Sequence, residues 1–177
     1  SLLASMVDSI IGDERLIVAF ARRPGRFALV IDCRDGAVMA RLSAPEGRHF
    51  YGHGAFSADG SRLLTPENDF AAARGRIGLW DAQDGYRRIG DFASGGVGPH
   101  DILRLPGTDV FAVANGGIET HPDSGRAKLN LPTMRPNLSY LSASGEVLEQ
   151  VELDPELRLN SIRHLAARPD GLLAFAM

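Results

Sequence analysis

The residues best able to do chemistry in this chain are its five histidines, His49, His53, His100, His121 and His164. Three of them stand in one repeated context. His53-Gly54-Ala55-Phe56-Ser57-Ala58-Asp59-Gly60 aligns without a gap to His100-Asp101-Ile102-Leu103-Arg104-Leu105-Pro106-Gly107, and again to His164-Leu165-Ala166-Ala167-Arg168-Pro169-Asp170-Gly171. Neutral imidazole is a common ligand for several transition metals, so His53, His100 and His164 are candidate metal ligands. The competing reading is architectural: a His opening an inner strand can hydrogen-bond the neighbouring repeat. His49 and His53 have H-x-x-x-H spacing, but Phe50-Tyr51-Gly52 between them suits a strand better than a helix, which weakens that metal signal. Glu119, His121 and Asp123 alternate carboxylate and imidazole, and Arg126 and Lys128 follow, able to meet an anionic group.

These side chains need elements to position them, and the repeat supplies the plan. Each His opens a short apolar run, a turn ending in Gly follows, and a second apolar run comes after it. This hairpin alternates with another: Phe27–Ile31 turning through Asp32–Gly36 into Ala37–Leu42, then Ile77–Trp80 through Asp81–Gly85, then Leu138–Leu141 through Ser142–Gly145. Four short strands per unit of about 45 residues is the content of a propeller blade. The fold class is therefore all-β, a β-propeller, with roughly three blades of four antiparallel strands in a single partial domain over 1–177. Residues 1–13 fit the repeat poorly and read as a short helix or irregular lead-in, so the first unit lacks a recognisable inner strand. The remainder of the ring is expected beyond Met177, and unpaired edges would invite self-association.

Folding the first hairpin about Asp59-Gly60 returns His53 opposite Pro66-Glu67-Asn68, and the equivalent fold brings His100 near Asn115. His53, Glu67, Asn68, His100 and Asn115 are thus expected at one channel rim. Residues 116–137 form a long polar connection beside it, carrying Glu119, His121, Arg126 and Lys128. Long connections in compact domains are usually functional or disordered.

Bulk properties narrow the function classes. A net charge of −3 over 177 residues gives no basic bias, so nucleic acid is not an expected partner. No apolar run approaches the length of a membrane span. Cys33 is single, which excludes an internal disulfide and fits either cytoplasm or periplasm. Arg22-Arg23 imitates a twin-arginine pair, but Pro24-Gly25 reads as a turn, so any export signal would lie outside this chain. Gly95-Gly96-Val97-Gly98-Pro99 falls between strands rather than before a helix, which rules out a phosphate loop. Trp80-Asp81 matches one dipeptide of a WD repeat without the rest.

Four runs resemble a specific family: Phe20–Asp32, Gly52–Gly60, Gly98–Gly107 and, most distinctively, Val113–Leu131 with its NGGIETHPDSGRAKLNL block. The chain from about residue 15 to 177 resembles the bacterial domain-of-unknown-function family 1513. That resemblance implies a seven-bladed propeller exported to the periplasm by the twin-arginine route. It also implies a link to iron acquisition, with imelysin-like proteins as periplasmic partners. No catalytic residue comes with it, and SLLASMVDSIIGD departs from the strand expected before Phe20. A weaker resemblance, to lactonase-type propellers, rests on the blade pattern.

Three functions follow. The first is a non-catalytic periplasmic propeller binding a ligand, a transition metal or a partner at the His/Asn rim. The second is a lactonase-like hydrolase, which needs a carboxylate such as Glu67 or Glu119 facing the channel. The third is an interaction scaffold using the 116–137 loop.

Overall fold

The computed structural model describes residues 5–7, 15–21, 25–125 and 127–177. Alternating apolar residues and Gly-closed turns produce a succession of antiparallel sheets. The first blade runs β1 (Ser5–Val7), β2 (Leu16–Phe20), β3 (Phe27–Asp32) and β4 (Val38–Ser43), paired in that order. In the second, β5 (Arg48–Phe50) and β6 (Ala55–Phe56) both pair with β7 (Arg62–Asp69), followed by β8 (Arg74–Asp81) and β9 (Arg87–Ala93). The third comprises β10 (Pro99–Arg104), β11 (Val110–Asn115), β12 (Asn137–Ser142) and β13 (Val147–Glu152). A final hairpin, β14 (Leu165–Ala167) with β15 (Leu173–Phe175), carries the third copy of the His repeat. The architecture is an all-β propeller.

One expectation is corrected at the start of the chain. The lead-in supplies an inner strand: β1 pairs with β2 from Ser5↔Phe20 to Val7↔Val18. The rest of residues 1–13, and Pro24 of the turn read at Pro24-Gly25, lie outside the described residues. The repeated hairpin turns form as expected, with Gly60, Gly107 and Gly171 at φ of 70°, 71° and 89°, where glycine carries no Cβ penalty.

Side chains on the two faces of β7 explain how blades stack. Successive strand residues point to opposite faces. Leu63 joins Val18, Phe20, Val30, Leu42, Phe50 and Trp80, which closes the first blade on the second. Leu64, its neighbour, packs with Ile77, Ile102, Phe111, Val113 and Leu141, which closes the second on the third. Phe20 and Phe50 meet edge to face at 5.3 Å, and the Trp80 indole N–H donates to Thr65 Oγ1 at 2.9 Å. Blade stacking of this kind holds the inner strands side by side.

Candidate metal centre

The inner strands break where the histidines sit. In the second blade β6 pairs as Ala55↔Leu64, but β5 pairs as Phe50↔Glu67, so the register slips by two residues across Tyr51–Gly54. His53 lies in that break. In the third blade the register shifts between Pro99 and Asp101, leaving His100 as the bulged residue. Bulges re-aim side chains and are over-represented beside active sites. His164 stands just before β14, its carbonyl accepting from Ala176 N–H at 2.9 Å.

The three imidazoles converge. Ring centroids are 5.4 Å apart for His53–His100, 5.3 Å for His53–His164 and 4.9 Å for His100–His164. One nitrogen from each lies within 4.8 Å of the other two. Three ligands bound to one ion at ~2.0–2.1 Å would have nitrogens about 3.4 Å apart, so modest ring rotations would complete a site. His100 Nδ1 is buried and has no hydrogen-bond partner. Such an orphan costs free energy unless something occupies it.

Electrostatics keep the cluster ready to bind a cation. Burial pushes His100 down to about 4, and neighbouring His53, His164 and Arg163 push the same way, with the Arg163 backbone a minor opposing influence. Burial also lowers His53, opposed by the Asp101 carboxylate and assisted by His164. Imidazoles held neutral at pH 7 need not release protons to take a metal.

Asp101 is a residue that the sequence reading did not single out. Its Oδ1 lies 3.3 Å from His53 Nδ1 and accepts Ile102 N–H at 2.8 Å, while Oδ2 accepts Leu165 N–H at 2.9 Å. The signal was available: Asp101 opens an otherwise apolar run, where the other two copies have Gly54 and Leu165.

The other candidates are placed elsewhere. Glu67 is fully buried and bound by Arg88 at 2.5 and 3.1 Å and by Arg48 at 3.3 Å, which corrects its assignment to the rim. Asn68 is opposite His49 rather than beside His53, the slip in register carrying its partner from Tyr51 to His49; its amide reaches His49 Nε2 at 3.2 Å and Thr120 at 3.3 Å. Asn115 is buried in an amide–hydroxyl cluster with Ser94, Asn137 and Ser139, at 2.7–3.1 Å. Both Asn residues are therefore architectural. His49 is likewise buried in the blade, its Nδ1 3.0 Å from Phe50 O, and it supplies no nitrogen to the cluster.

In the long loop, His121 caps a short 3-10 turn at Pro122–Ser124, accepting Asp123 N–H at 3.3 Å, and packs on Phe70 at 5.3 Å. Asn130 ties the loop down through Glu119 N–H and Gly117 O, both at 2.8 Å. Glu119 lines a polar recess of about 260 Å³ with Asn130, Arg135, Asn137, Gln150 and Glu152, and none of the three clustered histidines borders it. Lys128 is exposed, and Arg126 lies outside the described residues.

A family model described as "Protein of unknown function (DUF1513)" matches residues 9–177. The chain belongs to that family. No curated protein matches it. Among solved structures it is similar to the dihydro-heme d1 dehydrogenase NirN in complex with DHE, at 16% identity and a TM-score of 0.60, over 96% of this chain and 33% of that one. It is also similar to a chain of the mitotic checkpoint complex, at 14% identity and a TM-score of 0.65, over 98% of this chain and 45% of that one. Both neighbours are propellers, and the likeness supports the fold alone. The chain spans a third to just under half the length of these structures. Among the described residues, no helix is long and apolar enough to cross a membrane.

Proposed function

We propose that this DUF1513 propeller binds a transition-metal ion on His53, His100 and His164. The observation that carries the reading is the convergence of three nitrogens from three successive repeats within 4.8 Å. Imidazole donors suit divalent zinc, copper, nickel and ferrous iron, whereas all-oxygen sites suit harder ions. The setting we propose is periplasmic iron acquisition beside an imelysin-like partner, and it rests on the family resemblance.

A hydrolytic role is the weaker alternative. It needs a carboxylate base close to the reacting group. Glu67 is enclosed by two guanidinium groups, and Glu119 borders the separate recess. A binding role asks nothing of either.

The test is metal content by mass spectrometry on the protein as isolated from its native compartment, with a His53→Ala/His100→Ala double variant beside it. About one equivalent of metal, lost in the double variant, is the expected result. Absence of metal from the wild type after reconstitution with Fe(II), Cu(II) and Zn(II) would overturn the proposal.

A further inference from the structure

We propose that Asp101 is the positioning residue of this centre, fixing His53 with its proton on Nδ1 and its Nε2 lone pair free for the metal; this inference rests on the metal reading above. The argument starts from what a carboxylate can do. Ionised, it only accepts hydrogen bonds. Both oxygens of Asp101 already accept backbone N–H groups, from Ile102 at 2.8 Å and Leu165 at 2.9 Å, which fixes the carboxylate in place. A carboxylate oxygen held 3.3 Å from His53 Nδ1 disfavours a lone pair on that nitrogen and favours its proton there. The tautomer follows, and Nε2 is left as the ligand atom.

The same carboxylate touches or flanks every member of the cluster. It belongs to the residue after His100, faces the ring of His53, and holds the N–H of the residue after His164. One side chain thus registers three consecutive inner strands against each other. Metal-ligating histidines commonly donate their second ring N–H to a carboxylate, which fixes ring orientation and raises ligand basicity. Asp101 has little exposure, and its oxygens are committed to these three donors, so its place is behind the ligands rather than among them.

Substitution Asp101→Asn discriminates sharply. An amide has one oxygen and one NH2, so in either orientation an N–H donor faces an N–H donor at Ile102 or Leu165. In the orientation that keeps the Leu165 bond, the NH2 faces His53 Nδ1 and favours the opposite tautomer, with Nε2 protonated and closed to metal. Two measurements on the full chain test this. Long-range ¹⁵N–¹H correlation of the metal-free wild type reads the His53 tautomer directly, and needs no variant to fold. Co(II) titration then compares the wild type with Asp101→Asn, after a thermal melt has shown that the variant is folded.

The expected results are an unprotonated Nε2 on His53 in the wild type and a 10–100-fold weaker Co(II) affinity in the variant. A protonated Nε2 in the wild type overturns the assignment of Asp101, whatever the variant does. Unchanged Co(II) affinity in folded Asp101→Asn overturns it as well while leaving the metal centre standing. No Co(II) binding by the wild type overturns the metal centre and, with it, the role of Asp101.

Discussion

The ion-pair cluster of the second blade and the histidine cluster are built on opposite principles. In the second blade, Glu67 pairs with Arg88 and Arg48, and Asp91 pairs with Arg76, Arg88 and Arg48. Every charge there has a partner of opposite sign. Burial alone would raise Asp91, yet the guanidinium groups of Arg76, Arg48 and Arg88 hold it at about 2. The histidine cluster holds three like groups whose positive forms repel, and one of its buried nitrogens has no partner. Complete pairing across one sheet marks architecture. Incomplete pairing among convergent nitrogens is what the proposed metal site requires. The first cluster should carry stability with no binding role, and the second should show the reverse.

The sharpest way to break the comparison is Glu67→Ala. Removing the buried acid leaves Arg48 and Arg88, both partly buried, sharing Asp91, and losing one partner of such a network costs up to about 3–5 kcal/mol. Urea denaturation should show that loss while metal content stays unchanged. A loss below about 1 kcal/mol would mean that the ion pairs behave as solvated surface contacts, and the contrast would collapse.

Acid should act on the histidine cluster first. The folded-state value of His100 is lowered to about 4, so between the unfolded value near 6.5 and pH 4 the unfolded chain binds more protons. Stability should therefore fall as pH drops through that window, by up to about 3 kcal/mol, and be fully present above it. His53, shifted in the same direction, contributes to the same fall. The loss due to Asp91 comes lower, below its unfolded value near 3.8 and towards 2. Denaturation curves at pH 7.5, 6, 5 and 4 check this; flat stability down to pH 4 would remove the claim that burial holds His100 neutral.

The two clusters also differed in how readable they were. That His53, His100 and His164 share one rim was legible because blade repeats convert linear spacing into neighbouring positions, but their approach to within 4.8 Å was not, since successive blades would space them widely. The apolar runs and Gly turns gave the blades in the same way. What was not read was the slip of two residues across Tyr51–Gly54, although Gly52, at φ 98°, and Gly54 flank His53 and glycine within a strand pattern often marks a bulge. That slip moved the partner of Asn68 from Tyr51 to His49, further from His53. The role of Glu67 was hidden for a related reason. Its cationic partners lie 19 and 21 residues away, on strands whose facing sides depend on register. Asp101 is the instructive miss, because an acid at an apolar repeat position was visible all along.

Gly78 offers a finer probe of the paired cluster. A Cβ there would run into Glu67 Oε1 and lie 2.7 Å from Arg88 Nη1, so the glycine is what admits the ion pair to the face of the sheet. Overpacking of a filled site costs about 1–3 kcal/mol. Gly78→Ala should fall in that range by urea denaturation, again with metal binding intact. A neutral result would show that the arginine can swing aside, and that the pair is looser than its 2.5 Å contact implies.

The smallest expected change in stability is the most discriminating. His100→Phe replaces an imidazole that has an orphaned buried nitrogen with an apolar ring of similar shape. Removing the unpartnered Nδ1 is favourable and losing the interaction with the Arg163 backbone is not, so the net change is no more than about 1 kcal/mol. The variant should therefore nearly keep its urea midpoint at pH 7.5, lose most of the acid sensitivity between pH 6.5 and 4, and bind no metal. A structural histidine bonded to a neighbouring blade would behave otherwise, losing stability and leaving no binding function to remove. Stability and binding would then separate at a single residue, which is what the proposed metal site requires of His100.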